Sequence, residues 1–197
     1  MCFLFASLSL GLLALADDGF YSSSEVYELS ASTFKEVILD TNYTSIVEFY
    51  APWCGHCQRL KGTYKKIARG LKDIVNVAAI NCDLNKNKKV CAEYLIEGFP
   101  TLMVFRPPKY DVNSPVQIKH SPANEKYLGE RNFKSISDFL LTRLKNYVKR
   151  LSLKNIDKWV KDTKNNNRIQ VVLVTDKDKA SNLLKSLAID YLSILDF

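Results

Sequence analysis

Histidine is scarce in this 197-residue chain, with two copies, and the Cys-x-x-Cys spacing occurs once. A structural zinc ion needs four ligands. Beyond Cys54 and Cys57 the candidates are Cys82, Cys91, His56 and His120, whose spacing forms no second Cys-x-x-Cys unit, so no metal is assigned. A dense basic patch is missing as well. The formal charge of +7 is spread out: residues 1–148 hold 18 basic and 15 acidic side chains, and residues 149–197 hold 10 and 6. That distribution argues against nucleic-acid binding, and the short cluster Lys86 to Lys89 reads as a solvated loop or helix start. Uncharged runs are short. Residues 2–16 form one, but they fall below the roughly 20 residues of a membrane-spanning helix, and no other segment comes close. Their end, Ala14-Leu15-Ala16 before Asp17-Asp18, fits cleavage of a secretory signal peptide after Ala16. No Lys or Arg stands near Met1, and an uncleaved anchor is the alternative. The last residues, Ile194-Leu195-Asp196-Phe197, contain no Lys/His-Asp-Glu-Leu retention signal.

What is present is cysteine in a telling arrangement. Five cysteines become four when Cys2 leaves with the leader, an even set suited to two disulfides in an oxidising compartment. Cys54-Gly55-His56-Cys57 follows an apolar run and opens a helical pattern. A helix N-terminus carries unpaired N–H groups and about half a positive charge, which favours a thiolate on the first cysteine. Cys54 is therefore the candidate nucleophile and Cys57 the resolving thiol; half of a zinc site or an inert disulfide are the alternatives. Cys82 and Cys91 lie outside any Cys-x-x-Cys unit and read as a structural disulfide, with a pair of buried free thiols as the other possibility. Asn42-Tyr43-Thr44 is an acceptor sequence for an Asn-linked glycan just before a strand, and weakly supports the oxidising compartment.

Hydrophobic periodicity sets out the elements. A brief strand at 26–29 precedes Thr33-Phe34-Lys35-Glu36, which reads as a capping box opening a helix through Leu39. Residues 45–50 form an apolar strand interrupted only by Glu48. A helix runs over 54–71, a third strand over 75–82 and a short helix over 88–94. Gly98-Phe99-Pro100-Thr101 leads into a strand at 102–105. The connection from Phe105 to Tyr127 holds Pro107, Pro108, Pro115 and Pro122; it reads as a surface loop or, lying beside a sheet, as a place where substrates dock. A strand at 126–128 and a helix at 136–150 complete the order βαβαβαββα.

The decapeptide Glu48-Phe49-Tyr50-Ala51-Pro52-Trp53-Cys54-Gly55-His56-Cys57 resembles the active-site segment of protein disulfide isomerases, and the element order is that of the thioredoxin fold. This α/β fold is a mixed central sheet with helices on both faces. The chain resembles the small isomerases with a single active site known from fungi, over residues 26–148, the expected catalytic domain. Residues 151–197 repeat the opening of such a fold, with helices at 156–160 and 179–187 and strands at 169–174 and 189–195. They resemble an incomplete second thioredoxin-like domain, as if the chain were cut short.

The resemblance implies roles for further residues. His56 as an imidazolium would favour the Cys54 thiolate, stabilise the reduced form and make the couple more oxidising. Thioredoxin and protein disulfide isomerase differ by roughly 90 mV, about 4 kcal/mol for two electrons, comparable to lowering a thiol pKa by about three units. Glu48 matches the buried glutamate that handles the proton of the second cysteine; the bland reading is an exposed carboxylate on an alternating strand. The place of the lysine that pairs with this acid in some isomerases falls on Ala79. Phe99-Pro100 resembles the cis-proline loop, against an ordinary trans turn. With Trp53 the two would line the substrate groove. Arg131 resembles the mobile arginine that lowers the second cysteine's pKa, or is a surface arginine. The implied reaction is thiol–disulfide exchange on unfolded cysteine-containing clients in the endoplasmic reticulum lumen. No cofactor is needed, and glutathione or a lumenal thiol oxidase serves as redox partner. A client-holding chaperone with secondary redox activity is the alternative; a reducing cytosolic enzyme is opposed by the leader and His56.

Overall fold

β2 (Ser45–Tyr50) is the strand around which everything is placed. Its alternation is read by two cores. Ile46 and Tyr50 point into one apolar cluster, and Val47 and Phe49 into another on the opposite face. Buried on both sides, the strand reads as a continuous apolar run, as sheets covered on both faces do. The computed structural model describes residues 19–108, 122–164 and 169–197. The leader at 1–16, His120 and most of the proline-containing connection lie outside the described residues.

Five strands form one sheet in the order β1-β3-β2-β4-β5. β1 (Tyr27–Leu29) and β2 flank β3 (Asn76–Asn81) in parallel, and β4 (Thr101–Arg106) and β5 (Ala123–Lys126) add antiparallel strands beyond β2. α1 (Gly55–Gly70) and α3 (Phe133–Thr142) cover one face. Leu60, Tyr64 and Ile67 of α1 meet Ile136 and Leu140 of α3 over Val77 and Val104. The other face takes a wide helical turn at Lys35–Leu39 and α2 (Lys88–Glu93), whose Phe34, Ile38, Val90 and Cys91 pack on Phe49, Ile80 and Phe105. This is the expected mixed sheet with helices on both faces.

Several boundaries differ from the expected ones, for local reasons. The capping box at Thr33 is displaced by one turn: the Thr33 hydroxyl accepts from the Ser30 N–H at 2.9 Å, and the chain then closes an i→i+5 bond from Asp40 N–H to Lys35 C=O. β5 comes earlier than 126–128, because Glu125 is held by Arg143 at 2.8 Å and Arg106 at 3.4 Å. α3 starts at Phe133, capped by Asn132, whose Oδ1 accepts from Ser135 N–H at 2.7 Å. It stops at Thr142 instead of continuing to residue 150, since Thr44 Oγ1 donates to the Arg143 carbonyl at 3.0 Å and takes the acceptor that a further turn would use.

Beyond residue 150, α4 (Ile156–Lys164) and α5 (Asn182–Asp190) flank a two-stranded parallel pair, β6 (Ile169–Gln170) and β7 (Leu195–Asp196). The strands expected at 169–174 and 189–195 are shorter than the apolar pattern suggested. Ser181 Oγ caps α5 at Leu184 N–H, and the helix runs on to Asp190 through residues expected to be strand. Val172, Leu173 and Val174 stay exposed, with no strand partner among the described residues.

Candidate active site

The loop leaving β2 turns sharply at Ala51, whose carbonyl accepts from Cys54 N–H at 3.0 Å, and delivers Cys54 as the N-cap of α1. No side chain caps that helix start. The sulfur therefore stands where α1 leaves its N–H groups unpaired, the position that favours a thiolate. Hydrogen bonds from the Cys57 backbone hold the Cys54 thiol below the usual cysteine range, with smaller help from the Cys57 thiol, the His56 backbone and the Arg59 charge. One turn inside, Cys57 is fully buried, and burial pushes its thiol up to about 12. Both are free thiols. The pair thus has one accessible, acidic sulfur and one concealed, reluctant one.

Opposite Cys54 the Phe99–Pro100 peptide bond is cis, and the Phe99 carbonyl accepts from the Cys54 thiol at 3.5 Å. Trp53 is 66% exposed, with its ring edge-on to Phe99 at 6.1 Å, so Cys54 sits beside an apolar shelf that is open to solvent. Beneath lies Glu48, whose alternation on β2 places it with Ile46 and Tyr50 on the α1 face. It is 0% exposed, which removes the surface-strand reading. Burial pushes its carboxyl up to about 7, against a hydrogen bond from Tyr21 and the charge of Arg131. Its charge is in turn one of the influences raising Cys57. Cys82 and Cys91 are joined in a disulfide on the opposite face, with Cα atoms 5.9 Å apart. Asn42 is exposed in the turn before β2. Among the described residues no group of three His, Cys, Asp or Glu side chains is placed to hold a metal ion.

The thioredoxin family model matches residues 25–140, the span that carries this geometry. The chain belongs to the thioredoxin family. It is 46% identical over 198 residues to protein disulfide-isomerase MPD1 of Saccharomyces cerevisiae, covering 96% of this chain and 62% of that protein. It is also 41% identical over 149 residues to protein disulfide-isomerase A6 of Homo sapiens, covering 73% of this chain and 31% of that one. The chain thus spans less than two thirds of the length of these curated relatives. Among solved structures, the Trx4 domain of ERdj5 superposes with a TM-score of 0.53 at 24% identity, over 62% of this chain and 97% of that domain. This likeness concerns the fold.

Within this thioredoxin domain three residues, His56, Arg131 and Tyr21, make contacts that no sequence motif announces. His56 receives a guanidinium N–H: Arg59 Nη2 lies 2.8 Å from His56 Nδ1. A guanidinium only donates, so Nδ1 is the acceptor in this contact. Through its charge, Arg59 is one of the smaller influences lowering the Cys54 thiol. Its place three residues after His56 on a helix was a usable signal. Arg131 donates to the Pro100 carbonyl at 3.0 Å, which ties it to the cis-proline loop, and its charge acts on Glu48. Tyr21, absent from the sequence reading, donates its hydroxyl to Glu48 Oε2. It lies 27 residues away in a polar stretch before β1, where no periodicity marks it.

Proposed function

We propose that this chain catalyses thiol–disulfide exchange on unfolded, cysteine-containing proteins of the secretory pathway, in the endoplasmic reticulum lumen. The observation that carries the proposal is the asymmetry of the pair: Cys54 is half-buried at the helix start with a lowered pKa, and Cys57 is fully buried one turn inside with a raised one. A low-pKa accessible thiolate is the attacking species in such exchange.

In this reading the Cys54 thiolate attacks a client disulfide. A Cys54–client bond forms, the client's own S–S bond breaks, and one client sulfur leaves with the electron pair. Glu48 takes the proton of Cys57, and the Cys57 thiolate then attacks Cys54 Sγ, releasing the second client sulfur. The client is reduced and the Cys54–Cys57 pair oxidised. Run backwards, the same steps donate a disulfide. If instead a different client thiolate attacks the client sulfur of the mixed disulfide, a new client S–S bond forms, Cys54 leaves as a thiolate, and the client is rearranged with no net electron transfer. Phe99, Pro100 and Trp53 form the client shelf, and the Phe99 carbonyl beside Cys54 supports pairing with an extended client backbone. Glutathione or a lumenal thiol oxidase would restore the disulfide, and Asn42 would carry the glycan.

The exposure of Trp53 beside Phe99 favours one second reading, a chaperone that holds clients on that shelf. Reactivation of a scrambled disulfide protein separates the two. Replacing both Cys54 and Cys57 with Ser should abolish reactivation while leaving suppression of client aggregation. Undiminished reactivation by that variant would overturn the catalytic proposal.

A further inference from the structure

Glu48 needs a hydrogen-bond donor that the sheet does not supply. Its register neighbours are Ala79 on β3 and Leu102 on β4, both apolar and buried. A buried carboxylate without a donor is costly. The donor arrives from outside the sheet, as the Tyr21 hydroxyl on Oε2. Tyr21 is itself 1% exposed and held on several sides. Its N–H donates to Glu28 Oε1 at 2.9 Å, the oxygen that also receives the Tyr50 hydroxyl at 3.0 Å, and its carbonyl accepts from Ser24 Oγ at 2.6 Å. Its ring packs against Phe20, Tyr50 and Tyr64. The second carboxylate oxygen, Oε1, is buried with no hydrogen-bond partner among the described residues.

We propose that Tyr21 is the positioning residue of the proton-transfer step: its hydroxyl holds Oε2 of Glu48 and leaves Oε1 to exchange a proton with Cys57. This rests on the exchange reaction proposed above. In the step, the Cys57 S–H bond breaks, an Oε1–H bond forms, and the sulfur keeps the electron pair with which it attacks Cys54 Sγ. The groups facing Glu48 are Tyr21 from the N-terminal segment, Cys57 and Tyr64 from α1, and Arg131 from the segment after β5. β3 and β4 offer only Ala79 and Leu102 there. Tyr64 directs its hydroxyl to the carbonyls of Ile46 and Ala78, and Arg131 its guanidinium to that of Pro100. Tyr21 thus does with a neutral donor what a lysine opposite Glu48 would do with charge. A neutral donor steadies the carboxylate without fixing it permanently in the ionised form, so the acid can cycle near neutral pH.

The test is Tyr21→Phe in the full chain, which keeps the ring and removes the donor. The Glu48 carboxyl is followed by carbon-13 NMR, and resolution of a Cys54 mixed disulfide by stopped flow, both against pH. A hydrogen bond to a charged acceptor should be worth about one pKa unit. The midpoint should rise by that amount, slowing resolution about 10-fold near pH 6.5, with recovery in alkali. An unmoved midpoint would overturn the proposal. If Tyr21→Phe does not fold, 3-fluorotyrosine in the otherwise unchanged chain, a stronger donor, must lower the midpoint instead; failure to do so overturns it equally. Glu48→Gln tells the two levels apart. If its profile coincides with that of the unaltered protein, Glu48 carries no proton and the step fails together with Tyr21's role. If those profiles differ and Tyr21→Phe follows the unaltered protein, only the role of Tyr21 falls.

Discussion

Glu48 is kept at a cost to stability, and the sign of that cost is testable. Its folded-state pKa is raised from 4.5 to about 7. A raised pKa means that the favourable contribution of the protonated acid is complete below pH 4.5 and is lost as pH rises through about 7. The ionised group at pH 8 then costs on the order of 3 kcal/mol, from about 1.4 kcal/mol per pKa unit. Glu48→Gln should therefore raise the unfolding free energy relative to the unaltered chain far more at pH 8 than at pH 5, as read from urea titrations at both. Equal effects at the two values would mean that the carboxyl is not perturbed. The residue was legible because alternation along β2 left one acid in an apolar run of six. Tyr21 was not, since its role depends on a long-range return of chain over α1, and nothing in Phe20-Tyr21-Ser22 distinguishes a buried donor from a surface tyrosine. Arg59 falls between: helical spacing brings it to His56, but its influence on the Cys54 thiol is marked by no motif.

Elements were read well where their periodicity was long and poorly at their ends. α1 and β2 match their expected spans within a residue or two because each has an apolar face that only one register buries. The ends of α3 and β5 were set by single side-chain bonds, Thr44 to the Arg143 carbonyl and Glu125 to Arg143, which no pattern in sequence announces. The link between β3 and α2 carries its own prediction. The Cys82–Cys91 bond closes a loop with a sequence separation of 9, remote from Cys54 on the other face of the sheet. Replacing both cysteines with Ala should lower stability by roughly 2.5–3 kcal/mol through the unfolded chain. The urea midpoint should fall while Cys54 reactivity stays as it was. A loss of Cys54 reactivity in folded protein would show that the bond serves the site directly.

At the scale of the whole molecule, the two parts of the chain differ in how far they satisfy their own strands. Through residue 148 the five described sheet strands are paired and both faces of the sheet are covered. Beyond it, among the described residues, β6 and β7 pair only with each other, and Val174 is 92% exposed. Contact between the parts includes the Ser186 hydroxyl on the Asp73 carbonyl. We expect residues 17–148 alone to fold and to catalyse exchange, and the full chain to self-associate through its open apolar edge. Analytical ultracentrifugation and a reactivation assay on the truncated chain check both. A truncated chain that does not fold would show that the tail completes the first core.

If Cys54 is the attacking thiolate and Cys57 its concealed partner, alkylation of the reduced protein will tell the two sulfurs apart. At mildly acidic pH, mass spectrometry should find label on Cys54 first, with Cys57 protected until strongly alkaline pH. Label appearing first on Cys57, or on both at equal rates, would contradict the account.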